Sequence, residues 1–89
     1  MNLKEAYEKA KSMIDDSLEI TGCIDIGDSY VFATNPKGME ETAPGGLFIQ
    51  AMKKSNLIGY FDNSPNPHKI DPYENIKRLI KGKELELPE

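Results

Sequence analysis

An α+β fold follows from three observations. Residues 2–19 repeat apolar side chains at the three-and-four spacing of a helix, and residues 23–34 and 47–61 change to the alternation of strands. Residues 71–81 return to helical spacing between a proline start and a glycine stop. The expected architecture is an N-terminal helix, an antiparallel meander sheet of three to four strands and a C-terminal helix, with both helices packed on one face. A chain of 89 residues suffices for one core, so residues 1–89 are expected to form a single domain.

In the first helix Leu3, Ala6, Tyr7, Ala10, Met13, Ile14 and Leu18 share one face, while Lys4, Glu5, Glu8, Lys9, Lys11 and Asp15 fall largely on the other. Asn2, with Glu5 three residues on, suits its start, and Gly22 suits its stop. From Cys23 the period becomes two. Ile24, Ile26, Tyr30, Phe32 and Thr34 are expected on one side, with Val31 and Ala33 on the other. Gly27-Asp28 either divides this stretch into two short strands joined by a hairpin or marks a bulge in one long strand; two strands are preferred.

Residues 35–46 hold two prolines and three glycines without periodicity and read as a loop. Residues 47–52 and 57–61 then form a strand pair around Lys53-Lys54-Ser55-Asn56, where Asn56 can take the left-handed conformation. This hairpin is expected at the sheet's centre. A second loop, 63–69, leads to Asp71-Pro72-Tyr73-Glu74, in which Asp71 is the expected N-cap and Pro72 the first-turn residue. Tyr73, Ile76, Leu79 and Ile80 make the apolar stripe of that helix, Lys77, Arg78 and Lys81 suit its negative end, and Gly82 closes it. The tail Glu84-Leu85-Glu86-Leu87-Pro88 alternates, as either a short edge strand or a surface segment. The expected core is Phe32, Phe48, Ile49, Ile58, Phe61, Tyr7, Met13, Ile14, Ile76 and Ile80.

The net charge of −4 is uneven: residues 1–41 carry nine acids and four bases, and residues 42–89 six acids and seven bases. Nucleic-acid binding needs a coherent basic face, which this distribution argues against. No apolar run is long enough for a membrane span or a signal peptide, so a cytoplasmic protein is expected. Cys23 is the single cysteine, which excludes an internal disulfide and multi-cysteine metal sites.

Thiolate catalysis would require Cys23 to meet an imidazole, and His68 is the only one available. Cys23 beside a strand start reads better as a small buried hydrophobe, and His68 in a proline-rich loop as a solvated side chain. The acid pairs Asp15-Asp16, Asp25/Asp28 and Glu40-Glu41 lack calcium-loop spacing and read as solubilising. Lys77, Arg78, Lys81 and Lys83 could meet phosphate, yet they coincide with a helix C-terminus that favours cations. No catalytic, cofactor or metal residue is therefore assigned, and no cofactor is expected. In the loop 35–46, Met39, Glu40 and Glu41 set a flexible hydrophobe beside two charges and are the candidate partner-binding residues.

The order helix, Tyr30-Val31-Phe32 strand, Lys54-Ser55-Asn56 turn and strand ending at Tyr60-Phe61 resembles the YrhB-type small immunity-protein domains, and more loosely the PepSY-like domains. The likeness covers residues 1–62, with Tyr30 standing where the immunity domains usually carry Trp and Asn56 where a hairpin glycine is usual. It implies a stoichiometric binder that neutralises a protein partner such as a toxin, without chemistry of its own; no residue role carries over. The expected function is thus a small non-enzymatic protein-binding module of immunity or inhibitor type. The alternatives are a self-associating structural domain, a homo-oligomer, and a small-ligand binder.

Overall fold

The computed structural model describes residues 1–37, 48–61, 67–68 and 70–88. Their elements are α1 (Leu3–Ser12), β1 (Leu18–Asp25), β2 (Ser29–Pro36), β3 (Phe48–Met52), β4 (Ile58–Phe61), α2 (Glu74–Lys81) and β5 (Lys83–Leu85). The strands form one antiparallel five-stranded sheet in the order β4-β3-β2-β1-β5. The α+β class and the helix, meander, helix order are those expected, and the alternating tail adds the fifth strand.

The Asn2 side chain accepts from the Glu5 N–H at 2.8 Å and caps α1 as the sequence indicates. The helix stops at Ser12, short of the expected residue 19. Asp15 explains this: its carboxylate accepts from the Ser17 N–H at 2.8 Å and from the Ser17 hydroxyl, a local turn that competes with further helix. Leu18 accordingly opens β1, and Gly22 lies beside a register shift within that strand rather than at a helix end.

Residues 23–34 belong to two strands. Their two-residue loop is Gly27-Asp28, with Gly27 at φ 104° and the Ile26 N–H bonded to the Ser29 carbonyl at 3.1 Å. Between the turn and the register shift, this hairpin pairs even-numbered positions of β1 with odd-numbered positions of β2: Ile24 opposes Val31, and Cys23 opposes Phe32. The expectation that Ile24 and Ile26 share a side with Phe32 is therefore overturned, because side-chain parity does not continue across this turn. The second hairpin has Asn56 at φ 55°, as anticipated, but it lies at the sheet's edge, with β2 in the middle.

The altered register gives the sheet two apolar faces. On one, Cys23, Phe32, Ile49 and Ala51 pack with Ala6 and Ala10 of α1, and Tyr7 meets Phe32 with ring centroids 6.1 Å apart. Val31 and Phe61 are buried on the other face, outside that cluster. There Leu79 and Ile80 of α2 border a cleft with Gly22, Ile24 and Ala33, and Gly82 sits tightly against Ile24 and Ile26. The helices thus lie on opposite faces of the sheet rather than together, since a second apolar face also needs cover.

Helix α2 begins later than expected. Asp71 accepts from the Tyr73 N–H at 3.1 Å and pairs with Lys77 at 2.8 Å, while Tyr73 holds the cap position without a side-chain bond. No α2 residue is buried, and Ile80, expected in the core, is 77% exposed. Phe32, Ile49 and Phe61 are buried as expected, while Phe48, Ile58, Tyr7, Met13, Ile14 and Ile76 are half-buried. Among the described residues no helix is long and apolar enough to cross a membrane.

Candidate functional site

Two regions concentrate chemistry. The first lies where both hairpins and α2 meet at one end of the sheet. The Lys53 ammonium is 2.9 Å from both oxygens of Asp25 and 4.7 Å from the Tyr30 ring centre, and the Lys53 carbonyl accepts from the N-terminal ammonium of Met1 at 3.0 Å. Asp28 pairs with Arg78 at 3.0 Å, and its carbonyl accepts from the Lys53 N–H at 3.1 Å. Each acid of Asp25-Ile26-Gly27-Asp28 is therefore matched to a cation on another element, which ties α2 and the β3–β4 hairpin to the β1–β2 turn.

The hydrogen bond from Lys53 holds the Asp25 carboxyl below its usual range, helped by the Gly27 N–H, and Asp25 in turn raises Lys53. A carboxylate depressed by folding stabilises the native state above its unfolded value, and that contribution is lost as pH falls through the folded one. At neutral pH Asp25→Asn is expected to cost up to about 1 kcal/mol, because the pair is partly exposed. Urea unfolding at falling pH should show the gap between wild type and variant starting to close below about pH 4, where the unfolded chain takes up the proton first, and vanishing once the lowered folded carboxylate is protonated as well.

Cys23 and His68 do not form a reactive pair in the sense the sequence left open. Cys23 is 1% exposed in the α1 core cluster, whereas His68 is an exposed side chain, and burial pushes the thiol up to about 11. Of the basic group, Lys77 and Arg78 are engaged with Asp71 and Asp28, and Lys81 and Lys83 are exposed. Met39, Glu40 and Glu41, the candidate partner-binding residues, lie outside the described residues. The cleft between α2 and β1 has a volume of about 400 Å³, and among the described residues Thr21 and Glu84 bring polar side chains to it.

The second region is the free side of β4. The Met52 N–H bonds to the Leu57 carbonyl at 2.8 Å, which marks the 52–57 pair as a bonded one. Bonded and non-bonded pairs alternate along an antiparallel ladder, so Gly59 and Phe61 direct their backbone groups to Gln50 and Phe48 of β3. Ile58 and Tyr60 direct theirs away from the sheet. No described strand pairs with that side. The strand Ile58-Gly59-Tyr60-Phe61 carries no charge, and Leu57 and Tyr60 are 63% and 61% exposed. Edges of monomeric sheets are ordinarily guarded by charge, proline, a bulge or shortness, and of these β4 has only shortness, at 4 residues. The other edge differs, with Lys83 and Glu84 charged and exposed on β5. The sequence holds the signal for this site, an uncharged strand beside a hairpin, but not the strand order that makes it an edge.

No family model, curated protein or solved structure matches this chain.

Proposed function

We propose that the chain is a non-enzymatic protein-binding module that receives an extended segment of a partner protein along β4. The uncharged, outward-facing edge formed by Ile58 and Tyr60 carries this reading. Strand addition at such an edge draws affinity from main-chain hydrogen bonds and specificity from alternate side chains. Here the exposed Tyr60 ring and Leu57 side chain supply apolar contacts beside the backbone groups. The resemblance of residues 1–62 to small immunity domains supports a neutralising role toward a toxin-like protein, which strand addition would fulfil stoichiometrically.

Tyr60→Pro tests the reading, because it removes an N–H that points away from β3 and so leaves the β3–β4 ladder bonded. Tagged wild-type chain should recover one stoichiometric partner from its host lysate. Tyr60→Pro and Tyr60→Lys, which charges the edge, should lose that partner while unfolding cooperatively like wild type. Equal recovery by all three proteins would remove β4 as the binding surface.

A further inference from the structure

Resting on the reading of β4 as a binding edge, we infer that one occupant of this edge is a second copy of the chain, paired antiparallel about a two-fold axis at Gly59. In an antiparallel pair the residues that face each other point to the same side of the sheet, which restricts the registers a two-fold axis permits. With Gly59 opposite its symmetry mate, Ile58 of one copy opposes Tyr60 of the other, and Tyr60 opposes Ile58.

These are the two residues whose N–H and C=O face outward, so both form bonded pairs and every outward backbone group of Ile58 and Tyr60 is satisfied. The same register sets an isoleucine beside a tyrosine at each bonded pair, an aromatic with β-branched combination that stabilises antiparallel sheets. At the axis the close, non-bonded pair is glycine on glycine, with open space: a Cβ built at Gly59 meets nothing within 4 Å. Because β4 carries no charge, the copies meet without like-charge repulsion along the strand. The interface is isologous and joins two five-stranded sheets edge to edge. A strand this short buries less than the roughly 1,200 Å² of a stable complex, so the dimer is weak and concentration-dependent.

Sedimentation equilibrium of the full chain from micromolar to millimolar concentration, together with oxidative cross-linking of Gly59→Cys, tests the pairing. Wild type should shift from monomer to dimer across this range, and both Tyr60→Pro and Tyr60→Lys should weaken the dimer by about tenfold or more. Gly59→Cys should form an intermolecular disulfide at least about tenfold faster than Lys54→Cys, since facing non-bonded positions about 4.5 Å apart suit that bond. A chain monomeric at every concentration, or a dimer that both Tyr60 variants leave intact, overturns the inference. If the chain stays monomeric while Tyr60→Pro still abolishes partner capture, self-pairing fails and strand addition stands; if capture survives, the underlying reading fails.

Discussion

Phe32→Ala is expected to destabilise the domain by about 3–5 kcal/mol, a large part of the roughly 5–15 kcal/mol typical of folded domains. Phe32 is fully buried on the central strand, opposite Cys23 on one side and Ile49 on the other, with Tyr7 of α1 across its ring. Its neighbours Ala6, Ala10 and Ala51 are too small to swing into the space that a truncated ring would leave. In a domain of this size each kcal/mol shifts the midpoint by about 4–8 °C, so the thermal transition should fall by more than about 12 °C. Ile80→Ala is the matched control. At 77% exposure its loss should stay within about 0.5 kcal/mol. Comparable shifts for both variants, read by circular dichroism, would contradict the placement of α2 outside the core.

Cys23 should be at least about a hundredfold slower to alkylate at pH 8 in the native protein than in urea, because the thiolate is the reactive form. Burial raises this thiol from 9.0 to about 11, with the nearby Asp25 carboxylate adding to the effect and Lys53 opposing it. At 1% exposure the sulfur is also out of reach of reagent. The folded state binds the thiol proton more tightly than the unfolded one, so this group lowers stability as pH rises from 9.0 towards about 11. Native Cys23 that reacts as fast as the denatured chain would place it outside the core and reopen a nucleophilic role.

Local signals were legible wherever a backbone group had to be satisfied nearby. The Asn2 cap, the Gly27-Asp28 loop, the left-handed Asn56 and the Gly82 stop are each short-range solutions, and each is where the residue types place it. Competition between local solutions was less legible. The apolar spacing through Ile14 and Leu18 suits a longer helix, but the Asp15-Ser17 turn terminates it, and Asp71 makes the same kind of turn before α2 instead of capping it.

Long-range order was the least legible. The β1–β2 register moves Ile24 and Ile26 to the face away from Phe32, and that second apolar face draws α2 to the opposite side of the sheet from α1. The strand order, with β5 added beside β1 and not beside β4, leaves the β3–β4 hairpin at an edge. The candidate site depends on this step. Ile58 and Tyr60 read from the sequence as half of a central hairpin, and only the strand order leaves their outer backbone groups without a partner strand among the described residues.

Residue-resolved amide hydrogen exchange of the dilute chain, below the concentration at which copies would pair, tests that surface most directly. The N–H groups of Gly59 and Phe61 face β3 and should be protected, whereas those of Ile58 and Tyr60 should exchange with little protection. That alternation would establish β4 as an open edge able to receive a strand. Protection of Ile58 and Tyr60 equal to that of Gly59 would show the edge already covered within the monomer and would contradict the account.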